Sequence, residues 1–241
     1  EQVASMFDNG IRFEAVLEAG FAMEIAQCPD VTDPRITYLC HEMGEETRHQ
    51  RLFQRICQQI HPQAINPLAG HWLWARLDRL GMGLLMRHPA ALYVMVISGE
   101  EIPDLVQKLA AEHPDTAPFL AEVNRYHRQE EARHLSFARG RLAEVWADAG
   151  PIERWTVRHL LPHGIRQMYE FLVHPGVYEA IGLDGWATWK TVRRSERSIA
   201  LRQQATEPLL QALIDAGVIS GAGCQRPGAT WPGEPADQAL L

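Results

Sequence analysis

The residues of this chain best suited to chemistry are His127, Glu131 and His134, which lie in one short polar stretch near its middle. Their offsets of four and three residues place them on one face of an α-helix. That face continues in both directions as an apolar stripe of Leu120, Val123, Ala138, Leu142 and Val145. An ionised carboxylate buried in such a stripe is costly unless it is paired or bound to a metal. A metal ion would offset that cost and use both imidazoles as ligands.

A second copy of the motif lies in the first half of the chain. Glu-Glu-x-Arg-His occurs at residues 45–49 and again at 130–134, 85 residues apart, within a helical pattern each time. Two Glu-x-x-His elements on two helices, with a lone Glu on each of two others, are the ligand set of ferritin-like di-iron and di-manganese carboxylate bundles. The repeat therefore predicts Glu46 and His49 as metal ligands in addition to the second copy.

Comparison of the two halves suggests the lone carboxylates. Glu100 precedes Glu131 by 31 residues, and Glu14 precedes Glu46 by 32 residues. Glu18, one turn further along the same face, is the competing candidate. Four carboxylates with a few imidazoles suit iron or manganese rather than zinc or copper. The alternative, an internal salt-bridge network, would leave carboxylates facing one another in a low dielectric, where they repel.

Other residues are candidates for supporting roles beside the ligands. Glu45, Glu130 and Glu18 form this group, and the first two are predicted to accept a hydrogen bond from a ligand histidine. Arg48 or Arg133 could hold them, although a solvated helix face is the other interpretation. The substrate pocket is unknown; side chains that could line it, but more often belong to a core, are Trp72, Trp74, Tyr93, Met95 and Tyr126.

The elements that must position these residues are helices. Apolar periodicity predicts an all-α protein, a ferritin-like four-helix bundle with additional flanking helices. The predicted helices cover residues 2–27, 34–60, 71–87, 89–112, a stretch around His127 ending near 149, 152–173 with a kink at Pro162, and 190–216.

Local signals add detail to this prediction. Asp33 is expected to cap the second helix, with Pro34 at its first position. Pro103 predicts a kink or a π-bulge in the helix that carries Glu100. Residues 1–220 are predicted to form a single domain, and residues 221–241 a flexible tail rich in Gly and Pro.

Composition and charge argue against several functional classes. The 241 residues, 46% of them hydrophobic, can bury a large core. A formal net charge of −7 and the lack of a clustered basic patch argue against nucleic-acid binding. The most apolar run, about residues 90–99, is too short to span a bilayer. Four cysteines without a Cys-x-x-Cys pair indicate free thiols in a reducing compartment. We therefore expect a soluble, cytoplasmic protein without a targeting segment.

These motifs resemble the AurF-type di-iron oxygenases, named for p-aminobenzoate N-oxygenase. The resemblance rests on the histidine four residues ahead of the second Glu-x-x-His, on the first motif with its preceding glutamate, and on an upstream glutamate. It covers about residues 11–138, with a looser similarity over residues 177–218. In that family the additional histidine is a third imidazole ligand. The resemblance thus implies seven ligands: Glu14, Glu46, His49, Glu100, His127, Glu131 and His134.

The resemblance also implies a reaction. It points to an enzyme that uses O₂ and two Fe²⁺/Fe³⁺ ions, with manganese as an alternative, to oxidise a small organic substrate at an amine nitrogen. Electrons would come from an external donor, because the sequence contains no flavin or iron–sulfur motif. Other interpretations stay open: an acyl-desaturase-like or C–H-hydroxylating di-iron enzyme, or a ferroxidase or iron- or manganese-binding protein without oxygenase activity. The apolar helix at residues 71–87 could be the face of a homodimer or a lid.

Overall fold

The computed structural model describes residues 1–85 and 87–219, apart from the side chains at positions 74, 75, 78 and 85. These residues form ten α-helices and no strand, which confirms the all-α prediction. In the described part of the chain, no helix combines the length and hydropathy needed to cross a bilayer. In chain order the helices are α1 (Gln2–Gln27), α2 (Pro34–Ile60), α3 (Trp72–Leu85), α4 (Pro89–Glu112), α5 (Pro118–Asp148), α6 (Pro151–His159), α7 (Leu161–Glu170), α8 (Gly176–Glu179), α9 (Gly185–Arg193) and α10 (Glu196–Asp215).

Short-range signals set where the long helices begin. Asp33 caps α2, because its carboxylate accepts a hydrogen bond from the Arg35 backbone N–H at 2.9 Å, and Pro34 is the first helical residue. Prolines also open α4, α5 and α6, where the first backbone donors have no partner inside the helix. α2 ends where His61 adopts a φ of 48°, in the left-handed region. The predicted bounds of α1, α2 and α4 are confirmed.

The helices divide into two compact units, which are described separately. The first unit contains Glu1–Arg87 and Glu170–Ser195, and the second contains His88–Tyr169 and the segment from Glu196 onward.

In the first unit, α1 and α2 form an antiparallel hairpin. Phe7 stacks on Phe53 with ring centroids 4.7 Å apart, and Thr47 donates a hydrogen bond to Glu18 at 2.7 Å. As residue numbers rise along α1, the contacted residue numbers fall along α2, which is the pattern of antiparallel helices. Leu17 is completely buried in this hairpin. The pairing therefore places the middle of α1 opposite the middle of α2.

Residues 170–176 contact the N-terminal part of the same unit. The Ser5 hydroxyl donates a hydrogen bond to the Leu172 carbonyl at 2.8 Å. Gly176 lies so close to Ile65 that an added Cβ would be 1.9 Å from the Ile65 carbonyl oxygen. Only glycine fits at this position without movement of the backbone.

In the second unit, α4 and α5 form another antiparallel hairpin. Arg128 pairs with Asp104 at 2.6 Å, and the Tyr93 ring meets the Phe137 ring edge-on with centroids 6.2 Å apart. α6 and α10 also pack against α4, which is the most buried helix of this unit. The hairpin therefore places the Glu100 region of α4 beside the second motif on α5.

Some predicted elements differ from the observed ones. The helix predicted over residues 152–173 is two helices, α6 and α7, separated at Leu160, because Pro162 is tolerated in the first turn of a new helix. The helix predicted over residues 190–216 is likewise two, α9 and α10, and Asp184 starts α9 by accepting the Ala187 N–H at 2.9 Å. The short α8 lies between these predicted helices, where no helix was predicted.

Three further predictions complete the comparison. α4 continues as an α-helix through Pro103, so the π-bulge alternative is wrong. The helix predicted over residues 71–87 is observed as the slightly shorter α3. The flexible tail predicted for residues 221–241 lies outside the described residues, and the single domain over residues 1–220 stays a prediction.

Candidate metal centre

Within the first unit, α1 and α2 bury a set of acidic and imidazole side chains that we call the first half-site: Glu14, Glu42, Glu46 and His49. Glu46 and His49 lie one turn apart on α2, and His49 Nδ1 is 3.0 Å from Glu46 Oε2. Glu14 offers a ligand-type atom within 4.8 Å of one on Glu46 and of one on His49. Glu42 does the same toward Glu46. The α1–α2 hairpin thus gathers three carboxylates and one imidazole.

The two competing α1 glutamates have different surroundings. Glu14 is only 2% exposed and belongs to the first half-site. Glu18 is half-buried, and its carboxylate accepts the hydrogen bond from the Thr47 hydroxyl. The surroundings of Glu14 are therefore the better match to a metal ligand.

Within the second unit, α4 and α5 bury a corresponding set, the second half-site: Glu100, His127, Glu131 and His134. Glu100, His127 and Glu131 offer ligand-type atoms that all lie within 4.8 Å of one another. His134 Nδ1 is 2.8 Å from Glu131 Oε2, and His127 Nε2 is 3.5 Å from Glu131 Oε1. The two motif residues predicted from the repeat and the additional histidine are thus neighbours in space.

The orientation of the His127 ring has an identifiable cause. Its Nδ1 is 2.9 Å from the side-chain oxygen of Gln107, a buried residue on α4. An amide oxygen only accepts hydrogen bonds, so this contact places the imidazole proton on Nδ1. The lone pair then lies on Nε2, the nitrogen that faces Glu131. A neutral imidazole in this tautomer is the form that binds a metal.

The donors of both half-sites fit a metal ion. In each half-site an imidazole nitrogen lies beside a carboxylate oxygen, at 3.0 Å for Glu46–His49 and 2.8 Å for Glu131–His134. Carboxylates with imidazoles suit iron or manganese. The described residues thus contain buried Glu and His clusters that could hold metal ions.

The predicted supporting residues are partly in contact with their proposed partners. Glu45 is buried and pairs with Arg48 at 3.3 Å, while Glu130 lies 4.0 Å from Arg133. Glu45 is also 3.2 Å from His41, on the same helix. The role of these glutamates as acceptors for a ligand histidine stays a prediction.

The candidate pocket residues lie in different environments. Tyr93 is fully buried, Met95 is half-buried, and Trp72 and Tyr126 are exposed, Trp72 by 69%. The side chain of Trp74 lies outside the described residues. These observations do not assign a pocket to this group.

Sequence reasoning missed one residue of the first half-site, Glu42, and one residue that contacts the second half-site, Gln107. Glu42 could have been found, because the 85-residue offset between the motif copies maps it onto His127. Gln107 has no comparable signal, since its contact with His127 forms only when α4 packs on α5.

The described residues therefore define an all-α protein with buried carboxylate–histidine clusters suited to metal ions. The family model of p-aminobenzoate N-oxygenase AurF matches residues 1–217, and the chain belongs to this family. Membership confirms the resemblance.

The names of the individual relatives do not state an activity. The chain is 29% identical over 174 residues to uncharacterized proteins of Mycobacterium bovis and of two Mycobacterium tuberculosis strains. The match covers 71% of this chain, and it spans about half the length of these curated relatives (50%). No solved structure matches the chain.

Proposed function

We propose that this protein is a di-iron oxygenase that uses O₂ to oxidise a small organic amine at nitrogen. The seven ligands of the proposed centre are Glu14, Glu46, His49, Glu100, His127, Glu131 and His134. Support comes from the family, from the repeated motif, and from the burial of all seven side chains. The observation that carries the proposal is the third imidazole, because His127 belongs to one cluster with Glu100 and Glu131.

The charges of this ligand set suit two divalent ions. Its four glutamates, when ionised, carry four negative charges, which balance the four positive charges of two ferrous ions. The three histidines bind as neutral donors. A nearly neutral centre is the form in which charged groups are least costly to bury.

The chain itself orients the proposed ligands and excludes water from them. Gln107 holds the proton of His127 on Nδ1, so the lone pair lies on Nε2. The motif pairs on α2 and α5 keep each imidazole beside its carboxylate. All seven side chains are at most 3% exposed, so bulk water is kept from the ligand atoms.

Bound iron would supply the coordination positions and electrons that activate O₂. Conversion of a primary amine to a hydroxylamine places one oxygen atom of O₂ on nitrogen and releases the other as water. This stoichiometry consumes two electrons and two protons. The electrons are proposed to come from an external donor.

The proposal is tested with iron and an arylamine. The protein is loaded anaerobically with ferrous ion, analysed for metal, and mixed with O₂ and p-aminobenzoate. The amine and its products are followed by chromatography. We expect about two irons per chain in the wild type. The variant His127→Ala should keep part of the iron and lose amine oxidation.

A matched control is His159→Ala, which removes an exposed histidine from α6. It should bind iron and oxidise the amine like the wild type. Unchanged turnover in His127→Ala would refute the proposal. Two irons that consume O₂ without oxidising any amine tested would favour a ferroxidase, and oxidation at carbon would favour a hydroxylase or desaturase.

A further inference from the structure

The repeat assigns a counterpart to His127 in the first half of the chain. With the 85-residue offset, Glu46 aligns with Glu131 and His49 with His134. The same offset aligns Glu42 with His127. Each copy therefore has the pattern X-x-x-x-Glu-x-x-His, in which X is a residue able to bind a metal: glutamate in the first copy and histidine in the second.

Glu42 also has the surroundings expected from this alignment. It is 1% exposed, one helical turn before Glu46 on the same face of α2. Its carboxylate offers an oxygen within 4.8 Å of a ligand-type atom of Glu46, which is itself beside His49. A carboxylate buried this deeply needs a compensating cation or a set of hydrogen bonds.

We propose that Glu42 is an additional oxygen ligand of the metal centre, on the side of the first half-site. This inference rests on the proposed function, since it concerns a residue of the same centre. The first half-site then contributes three carboxylates and one imidazole, whereas the second contributes two of each. The two ions are thus held by unlike donor sets.

The difference has a chemical consequence. Carboxylate oxygens favour hard ions such as manganese and iron, and imidazoles extend the range to softer ones. An additional negative charge also strengthens the attraction for any cation. The ion on the side of Glu42 is therefore the more tightly held one, and manganese should bind to the two positions with unequal affinity.

The test is a titration with Mn²⁺ followed by electron paramagnetic resonance, which counts the free ion. The full chain is used, and the variant is Glu42→Gln, which keeps the shape of the side chain and removes its charge. The matched control is Glu153→Gln, because Glu153 is a buried carboxylate outside the half-sites that accepts the Ala90 N–H at 2.7 Å.

We expect two Mn²⁺ per wild-type chain. In Glu42→Gln the tighter of the two ions should bind more weakly by roughly tenfold or more, which is the scale found when groups around a metal are removed. Glu153→Gln should bind like the wild type. Wild-type affinity for both ions in Glu42→Gln would overturn the inference, and so would an equal loss in both variants.

Thermal melting adds a measurement that does not depend on the titration. Metal binding raises the melting temperature in proportion to the logarithm of affinity, so the increase caused by Mn²⁺ should be smaller in Glu42→Gln than in the wild type. If Glu42→Gln does not fold, Glu42→Asp replaces it, since the shorter side chain keeps the charge and withdraws the oxygen. Wild-type affinity in that variant would also overturn the inference.

Failure of this inference is distinguishable from failure of the proposed function. A wild-type protein that binds neither Mn²⁺ nor Fe²⁺ would contradict the proposed function itself. Two ions bound equally well by the wild type and by Glu42→Gln would contradict only the role of Glu42.

Discussion

Replacement of Gln107 by leucine is the sharpest test of how this protein orients His127, a proposed metal ligand. The Gln107 oxygen is 2.9 Å from His127 Nδ1, and both side chains are buried. Leucine has a similar volume and no acceptor. The substitution therefore removes the group that keeps the imidazole proton on Nδ1 and the lone pair on Nε2.

The expected magnitude follows from two effects. Loss of a group that orients a metal-ligating histidine typically weakens metal binding by about 10- to 100-fold, which corresponds to about 1.4–2.7 kcal/mol. Loss of a neutral hydrogen bond lowers the free energy of unfolding of the metal-free protein by about 1 kcal/mol. The metal-bound protein should therefore lose more stability than the metal-free protein.

The assay is a calorimetric titration with Fe²⁺ under anaerobic conditions, combined with urea unfolding with and without metal. The variant Gln107→Glu keeps an acceptor oxygen for His127 Nδ1. It should therefore bind iron more tightly than Gln107→Leu. The control is Gln129→Leu, which makes the same replacement at an exposed position of α5. Iron affinity within twofold of the wild type in Gln107→Leu would refute the assigned role of Gln107.

Two further predictions concern stability. Gly176→Ala should lower the free energy of unfolding by about 3 kcal/mol in urea titrations, because its Cβ would meet the Ile65 carbonyl oxygen at 1.9 Å. The control Gly164→Ala, in open space on α7, should instead raise the free energy of unfolding by about 0.5–1 kcal/mol. Equal effects of the two substitutions would contradict the close approach of Gly176 to Ile65. Burial raises the pKa of Tyr169 to about 12, and its hydroxyl has no hydrogen-bond partner among the described residues. Since this pKa is about 10 in the unfolded chain, the stability from neutral Tyr169 is present below pH 10 and lost between about pH 10 and 12. Tyr169→Phe should therefore unfold less readily at alkaline pH, and an unchanged alkaline transition would count against the burial effect.

The positions of the long helices were predictable because their signals act over a few residues. The Asp33 cap reaches an N–H only two residues away, and Pro34 has the backbone angle of a first helical position. The signals were weaker after residue 150. There Pro162 was compatible either with a kink inside one helix or with the first turn of a new one, and the observed break at Leu160 corresponds to the second choice.

Half-site residues were predictable where their arrangement depends only on spacing within one helix. Glu46 with His49, and Glu131 with His134, share a helix face through a three-residue spacing, whatever the tertiary structure. The choice between Glu14 and Glu18 is different in kind. It depends on how α1 lies against α2, because that packing buries the first and brings the hydroxyl of Thr47 to the second.

The sequence by itself determined the helical class, the repeated motif, the additional His127 and the family. These features depend on residue type and spacing along one chain segment, and segments of this kind adopt helix geometry in a predictable way. Only the tertiary structure decided that Gln107 meets His127, since that contact joins residues twenty positions apart on different helices. The packing of one helix on another, and not the spacing within either, sets the distance between such groups.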